Sequence, residues 1–315
     1  MSVTEIYPAD RVMLREVGLR DGLQMVRTHP STRAKINWLA REAAAGMPCF
    51  ETGSFLPAHS FPQFADVQEI VDAAHRAGVH GVGLVLNERG AETGIRSGVA
   101  ELACVVSATE THSQANVRRT VADSIAVVAH ACALRDASPH KPLVSATIGM
   151  SLGCSMTGPV PLSSVLSIAE RLFEAGIDVL NLADTVGYAG PAQVSGMVRA
   201  VRNLGAGRPL AVHLHDTRGL GLANAAAALD QGVCILDASL GGLGGCPFAP
   251  RATGNIVMED LVFLCEKMGF ATGIDLAALC AVRDILKQEM PDEPLYGGFA
   301  RSGAPLGFAP TPLPG

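Results

Sequence analysis

The chain contains 315 residues, of which 48% are hydrophobic, and it carries a formal net charge of −6. This length and composition are sufficient for one large globular domain or for two ordinary ones. The acidic balance, without a basic cluster, excludes nucleic acid and anionic membrane surfaces as expected partners. No apolar segment approaches the roughly 20 residues that a membrane-spanning helix needs, so we expect no membrane partner of that kind.

The cysteines and the first residues bear on cellular location. The eight cysteines are scattered and form no C-x-x-C pair, which is typical of reduced thiols in a cytosolic protein. Residues 1–10 contain two acids and a proline, unlike the core of a signal peptide. The sequence therefore predicts a cytoplasmic protein. We interpret most cysteines as small core residues, and only Cys246 lies in a segment that indicates another role.

Short apolar segments alternate eight times with longer, alanine-rich amphipathic segments along the chain. The predicted strands are 11–17, 49–52, 81–86, 101–107, 142–150, 179–183, 209–215 and 234–240. The predicted helices are 31–45, 61–77, 88–97, 115–135, 162–175, 191–204, 220–231 and 255–268. A glycine follows each of these helices except the fourth, where Pro139 ends the helix, and glycine favours the left-handed helix cap.

Eight strand–helix repeats predict an α/β fold in which a single (β/α)8 barrel, a TIM barrel, spans residues 1–273. The alternative is a doubly wound open sheet, but the usual G-x-G-x-x-G turn after the first strand is missing. A further helix is predicted over residues 275–290, and residues 291–315 are rich in glycine and proline. We therefore expect a C-terminal extension over residues 274–315 with an irregular or disordered tail, and no second domain.

Polar residues follow several predicted strands at their carboxyl ends, where TIM barrels carry their chemistry. They come from strands one, two, six and seven and from the segment after strand eight, and they are Asp21, Glu51, Asp184, His213, His215, Cys246 and Asn255. A random scatter of polar residues would not favour one end of the barrel. Their shared position therefore predicts one active site.

The motif His213-Leu-His215 places two imidazoles on one face of a strand, because alternate side chains share a face. This favours ligation of one metal ion over two histidines that are merely hydrogen-bonded. Asp21 is the natural anionic ligand, with a turn cap or an ion pair to Arg20 as the alternative. Asn255 offers a neutral oxygen or caps the following helix. Nitrogen and oxygen ligands without a thiolate favour Mg²⁺ or Mn²⁺, with Zn²⁺ as the alternative.

The candidate catalytic groups are Arg20, Glu51, Asp184 and Cys246. Arg20 beside a metal suits a developing enolate or carboxylate oxygen, and its alternative is a salt bridge to Glu51 or Asp184. For those two carboxylates, direct proton transfer and an orienting task remain open. Cys246 lies in a segment with four glycines, 241–246, that lacks the Lys-Ser/Thr of a P-loop,. An exposed thiol on a mobile loop favours acid–base chemistry over a spare cysteine.

Five segments together closely resemble the 3-hydroxy-3-methylglutaryl-CoA lyase family of metal-dependent TIM barrels. They are EVGLRDGLQ at 16–24, FETGSF at 50–55, LADTVG at 182–187, HLHDT at 213–217, and GGLGGCPF with TGN within 241–255. The resemblance runs from about residue 11 to residue 273, nearly the whole predicted barrel. The cysteine loop is its specific part, because related condensing enzymes share the R-D-G and H-x-H signatures but lack that loop.

The resemblance implies a role for each candidate residue. The implied ligands of a divalent metal are Asp21, His213, His215 and Asn255. Arg20 would stabilise an enolate, Glu51 and Asp184 would be active-site carboxylates, and Cys246 would be the catalytic loop cysteine. The implied reaction is a metal-assisted retro-Claisen cleavage of a 3-hydroxyacyl-CoA, which for the prototype substrate yields acetyl-CoA and acetoacetate. Barrels of this kind often pair, so we also expect a homo-oligomer, a dimer or a tetramer.

Six positions depart from the family pattern, and they are Leu19, Met25, Thr147, Gly149, Arg218 and Arg251. Thr147 and Gly149 stand where tyrosine and serine are usual, and either arginine is a candidate reader of an extra carboxylate or an ordinary surface charge. A related substrate such as a citramalyl-CoA is therefore a rival.

Two rival functions lie outside acyl-CoA cleavage. One is a condensing enzyme of the same barrel group, which would form the carbon–carbon bond with acetyl-CoA. The second is a catalytically silent barrel that serves as a scaffold. The short C-terminal extension disfavours the condensing enzyme, and the intact site residues disfavour the silent barrel.

Overall fold

The computed structural model describes residues 2–244 and 254–313. Eight parallel strands close into a barrel in chain order, with β8 paired to β1, so the predicted (β/α)8 barrel is confirmed. The strands are β1 Met13–Glu16, β2 Cys49–Ser54, β3 His80–Val85, β4 Glu101–Ser107, β5 Leu143–Gly149, β6 Val179–Asp184, β7 Leu210–Leu214 and β8 Ile235–Ala238. Nearly all their residues are buried, because a parallel barrel covers both faces of its sheet.

Helices surround this barrel. Within the described ranges they are α1 Val3–Ile6, α2 Thr32–Ala44, α3 Val67–Ala77, α4 Glu88–Ser97, α5 Glu110–Val117, α6 Val121–Ala137, α7 Leu162–Glu174, α8 Pro191–Gly205, α9 Gly221–Asp230, α10 Met258–Lys267, α11 Leu276–Glu289 and α12 Gly298–Ser302. None of these helices combines the length and apolar character needed to cross a membrane. The cysteines that the structure describes are all free thiols, and most are buried, as predicted.

Two predicted helices are interrupted. The segment 115–135 forms the end of α5 and most of α6, because Arg118 adopts a left-handed backbone conformation with φ of 56°. Thr120 then caps α6 by accepting a hydrogen bond from the amide of Asp123. The alanine-rich periodicity conceals this break, since both helices contribute apolar residues. The segment 61–77 likewise begins with a short 3-10 turn before α3.

The N-terminal segment closes the amino end of the barrel. Tyr7 is buried among Met13, Leu143 and Val179, which belong to three different strands. The hydroxyl of Tyr7 donates a 2.7 Å hydrogen bond to Glu101 on β4. Apolar packing at this end leaves the carboxyl ends of the strands as the open mouth of the barrel.

The C-terminal tail packs on the barrel to a greater extent than predicted. Phe299 and Phe308 each contact Phe263 on α10, with ring centroids 5.2 Å apart in both cases. Asp260 accepts hydrogen bonds from the amides of Gly298 and Phe299 at the start of α12. Apart from α12, the described residues of the tail form no helix or strand, so the expected irregular tail is confirmed outside this short helix. The glycines and prolines of the tail favour irregular structure, but the packing of Phe299 and Phe308 against α10 stabilises the helix,.

A pair of buried acids lies between β1 and α2. Glu16 is fully buried and accepts hydrogen bonds from the amides of Gly18 and Leu240. Burial raises the pKa of Glu16 to about 8, despite these hydrogen bonds. Glu42 accepts a 2.8 Å hydrogen bond from the indole of Trp38. Burial, reinforced by repulsion from Glu16, raises the pKa of Glu42 well above its usual range.

This pair makes stability depend on pH. An unfolded glutamate titrates near pH 4.3, whereas folded Glu16 keeps its proton until about pH 8,. Between these values the unfolded chain binds fewer protons than the folded one, so the free energy of unfolding falls as pH rises. We expect Glu16→Gln to make this fall less steep, by up to about 1.4 kcal/mol per pH unit for one proton.

Urea denaturation at pH 5.5, 7 and 8.5 measures this effect. The matched control is Glu92→Gln, which changes an exposed residue of α4 and should retain the wild-type dependence on pH. If the free energy of unfolding changed equally with pH in wild type and in Glu16→Gln, Glu16 would be ionised in the folded state.

Candidate active site

The carboxyl ends of β7 and β1 bring three predicted metal ligands together. His213 lies on β7 and His215 directly follows it, and their Nε2 atoms are 3.1 Å apart. Asp21, in the turn after β1, places Oδ2 3.6 Å from His215 Nε2 and 4.0 Å from His213 Nε2. These three residues form the cluster of metal-ligating side chains found in the described part of the chain.

The spacing of these atoms fits one cation. Octahedral ligands at about 2.1 Å from a metal lie about 3 Å from one another, close to the observed separations of 3.1–4.0 Å. Asn255 donates from Nδ2 to Asp21 Oδ2, at 2.9 Å, and to the carbonyl of Leu243, at 3.0 Å. Its buried Oδ1 has no hydrogen-bond partner among the described residues. An unpaired buried oxygen is costly, so this position favours a fourth ligand.

Asn255 is not a helix cap. The helix α10 begins at Met258, and Val257 is its N-cap. The backbone of Asn255 instead pairs with His215 in an isolated bridge. This bridge aligns Asn255 beside the end of β7, so the alternative role of Asn255 as a helix N-cap is excluded.

Arg20 is held by two carboxylates. Its Nε and Nη2 donate to both oxygens of Glu51, at 2.7 and 3.0 Å, and its Nη1 donates to Asp21 Oδ1 at 2.8 Å. Burial opposes the charge of Arg20, but Glu51 and Asp21 outweigh burial and raise the pKa of the guanidinium. Both oxygens of Glu51 are therefore committed to Arg20. This geometry favours the orienting task over direct proton transfer for Glu51.

Asp21 is a carboxylate in this setting. Burial alone would raise its pKa, but the charge of Arg20, followed by hydrogen bonding and charge interactions with His215 and His213, holds the pKa well below its usual range. An ionised carboxylate beside two imidazoles is a ligand set that suits a divalent cation.

A cavity of about 890 Å³, including its solvent-open part, occupies the mouth of the barrel. The metal-ligand cluster lines one side, and His112, Asn116 and Thr147 line the side formed by β4, α5 and β5. Strand order places β4 and β5 opposite β8 and β1. Leu84 on β3 and Val105 on β4 add apolar surface to the lining.

Asp184, the second predicted active-site carboxylate, lies behind the lining of the cavity. Ala183 and Thr185 line the cavity, but Asp184, between them, is not among its lining residues. Its carboxylate accepts hydrogen bonds from the amides of Tyr188 and Ala189, at 2.7 and 3.0 Å. Burial raises the pKa of Asp184, although these hydrogen bonds oppose the rise. Neighbouring residues on a strand face opposite sides, so the carboxylate of Asp184 holds the loop after β6. This geometry favours the orienting task for Asp184, and its role in the active site stays a prediction.

Arg218 supports the same loop. Its Nη1 donates to the carbonyl oxygens of Val186 and Gly187, both at 2.8 Å. Arg218 is not among the residues that line the cavity, so the structure does not support a carboxylate-reading role for it. Of the departures from the family pattern, Thr147 and Gly149 do line the cavity.

Cys246 and Arg251 lie outside the described residues. The described residues on either side of them lie close to each other. Gly254 is so near the carbonyl oxygens of Gly242 and Gly244 that a Cβ on Gly254 would clash with them. Gly244 itself lies against Asn255 Nδ2. The described residues next to this segment, Gly244 and Gly254, therefore lie beside each other and beside Asn255.

Two charged residues near the metal ligands, Asp237 and Arg15, were not predicted from the sequence as part of the site. Asp237 on β8 lies 3.2 Å from His213 Nδ1, through its Oδ2. Arg15 on β1 donates to both oxygens of Asp237. The available signal was the ionisable residues inside two largely apolar predicted strands, Arg15 and Glu16 in the first and Asp237 in the eighth, since an unpaired charge is rarely buried.

The HMGL-like family model matches residues 11–286. This chain belongs to the HMGL-like family. The match spans the eight strands of the barrel and every described residue of the metal-ligand cluster. The predicted family resemblance is thereby confirmed.

Known relatives of this HMGL-like chain include carbon–carbon lyases. A hydroxymethylglutaryl-CoA lyase of Bacillus subtilis is 35% identical over 285 residues, which cover 90% of this chain and 94% of that protein. An (R)-citramalyl-CoA lyase of Chloroflexus aurantiacus is 37% identical over 292 residues, covering 88% and 90% respectively. The solved structure of an HMG-CoA lyase from Acinetobacter baumannii, in complex with coenzyme A and 3-methylmalate, matches with a TM-score of 0.86 and 36% identity. It covers 97% of this chain and 99% of that chain.

The cluster predicts the effect of removing one imidazole. We expect His213→Ala to weaken Mn²⁺ binding by more than about 100-fold, because losing a ligand exceeds the cost of an outer-shell change. Calorimetric titration with MnCl₂, without acyl-CoA, measures this affinity. His75→Ala, which removes an exposed imidazole on α3, is the control. Wild-type affinity in His213→Ala would refute the assignment of His213 as a ligand.

Proposed function

We propose that this HMGL-like chain is a divalent-metal-dependent carbon–carbon lyase that cleaves a 3-hydroxyacyl-CoA to acetyl-CoA and a keto acid. The observation that carries the proposal is the convergence of Asp21, His213 and His215 beside a charged Arg20 in one cavity. The activities of the lyase relatives from Bacillus subtilis and Chloroflexus aurantiacus support it.

Four residues would hold the cation: Asp21, His213, His215 and Asn255. Their nitrogen and oxygen atoms suit Mg²⁺ or Mn²⁺, and Zn²⁺ is the alternative. When bound, the cation would act as a Lewis acid on the hydroxyl and carboxylate oxygens of the substrate.

The chain's own residues would manage charge and protons. Cleavage breaks the C2–C3 bond: a base accepts the hydroxyl proton, C3 becomes a ketone carbon, and the electron pair of the broken bond forms an acetyl-CoA enolate. Arg20 would stabilise the enolate oxygen, and Glu51 would keep the guanidinium aimed by its two hydrogen bonds,. Cys246 would return a proton to C2. Leu84 and Val105, apolar residues of the cavity lining, would limit access of water to the carbanion-like species,.

Two acyl groups fit this chemistry and differ by one methylene. In 3-hydroxy-3-methylglutaryl-CoA a CH₂ separates the carbinol carbon from the free carboxylate, whereas in citramalyl-CoA they are directly bonded. Thr147 and Gly149, where the family pattern has tyrosine and serine, line the cavity and favour citramalyl-CoA as the second candidate. The Chloroflexus aurantiacus relative adds support.

An assay with both substrates tests the proposal. We expect Mg²⁺- or Mn²⁺-dependent release of acetyl-CoA, with acetoacetate as co-product from the first substrate or pyruvate from the second. Chelation with EDTA should abolish release, and added Mn²⁺ should restore it. Condensation without cleavage would support a condensing enzyme, and no turnover in either direction would support a silent barrel.

The loop thiol has its own test. We expect Cys246→Ala to retain Mn²⁺ affinity but to lose about 10²–10⁴-fold in turnover, the contribution of a positioned acid or base. Acetyl-CoA release at saturating substrate measures this loss. Cys280→Ala, which changes a partly buried thiol on α11, should retain wild-type turnover. Near-normal turnover of Cys246→Ala would identify Cys246 as a spare cysteine.

The acyl-CoA substrate is thus the partner that we propose. Assembly as a homodimer or homotetramer and a cytoplasmic location remain predictions, which light scattering after gel filtration and cell fractionation would test.

A further inference from the structure

Asp237 is the most heavily used hydrogen-bond acceptor beneath the metal-ligand cluster. It is 2% exposed and accepts from Arg15 Nε, at 2.6 Å, and from Arg15 Nη2, at 3.0 Å. Asn181 Nδ2 lies 3.0 Å from its Oδ2, and His213 Nδ1 lies 3.2 Å from the same oxygen. One buried carboxylate therefore faces four nitrogens, of which one belongs to a candidate metal ligand.

The barrel register produces this arrangement. Asp237 on β8 is the direct Cα partner of Arg15 on β1 and of His213 on β7. Directly paired residues on adjacent strands share a face, so all three side chains enter the barrel interior at one level. Shifting β8 by one residue would turn Asp237 away from both partners.

A second buried pair supports Arg15 from below. Arg15 Nη1 lies 3.6 Å from Glu101 Oε1. Glu101 Oε2 accepts from the Tyr7 hydroxyl at 2.7 Å and lies 2.9 Å from His80 Nε2. The charges thus extend from the closed end of the barrel to the metal-ligand cluster, and Arg15 is the cation between two carboxylates.

We propose that Asp237 is a positioning residue that keeps the His213 proton on Nδ1 and aims Nε2 at the cation. This inference rests on the proposed metal site. A neutral imidazole ligates through its unprotonated nitrogen, and the partner of the other nitrogen decides which one that is. Arg15 and Asn181 hold the carboxylate in place. His215 lacks this support, because its Nδ1 has no hydrogen-bond partner among the described residues.

The variant Asp237→Asn tests the proposal through metal binding alone. An amide offers one acceptor oxygen where the carboxylate offers two, so it cannot serve the same four nitrogens. We expect the affinity for Mn²⁺, titrated without acyl-CoA, to fall about 10–100-fold, as for other outer-shell partners of metal-ligating histidines.

The control is Tyr7→Phe, which removes a hydrogen bond at the far end of the same network and leaves the contacts of Asp237 intact. We expect its melting temperature to fall and its Mn²⁺ affinity to remain at the wild-type value. If Asp237 merely contributed to packing, Asp237→Asn would behave like Tyr7→Phe, and wild-type Mn²⁺ affinity in Asp237→Asn would overturn the proposal. Wild-type protein that binds no Mn²⁺ would instead overturn the proposed metal site itself.

A measurement on the wild-type protein decides the matter even if Asp237→Asn does not fold. Long-range ¹H–¹⁵N spectra of histidine-labelled, metal-free protein, recorded at a pH high enough for the His213 imidazole to be neutral, distinguish the two tautomers, and comparison with His213→Gln assigns the signal. We expect His213 to carry its proton on Nδ1. A proton on Nε2 would overturn the proposal.

Discussion

The site depends on the pairing of charges inside the barrel mouth. Glu51 and Asp21 share Arg20, and Asp237 is held by Arg15. A buried charge without a partner is strongly destabilising, so each of these groups constrains the position of the next. The metal-ligating atoms are thereby placed by ion pairs as well as by the strands that carry them. This pairing explains why Arg20 and Glu51 lie beside the metal ligands rather than facing solvent.

Much of this site could be predicted from sequence because its signals are local. Two histidines at a spacing of two residues on one strand must share a face, and His213 and His215 do bring their Nε2 atoms together. The barrel was predictable from its eight repeats, since each strand and helix has its own hydrophobic period and cap. Chain-order closure then brings Asp21, from the first repeat, beside the seventh strand.

The rest depended on orientation and register, which a single sequence does not encode locally. Asp184 differs from its neighbour Thr185 by one position, and that step turns the carboxylate from the cavity to the loop after β6. Asp237 acquires its importance only through register with Arg15 and His213, more than 20 residues distant in each case. Asn255 was ambiguous by residue type, and the start of α10 at Met258 removed the ambiguity.

One unpaired polar atom, Asn255 Oδ1, links stability to function at this site. Asn255 Oδ1 and His215 Nδ1 are buried without hydrogen-bond partners in the described part of the chain. Natural proteins pair most such atoms, and exceptions are expected where a ligand completes the set. His213 differs, because Asp237 already engages its Nδ1. The folded chain thus contains one preorganised imidazole beside two incompletely paired groups, so cation binding would satisfy Asn255 directly and increase stability by linkage.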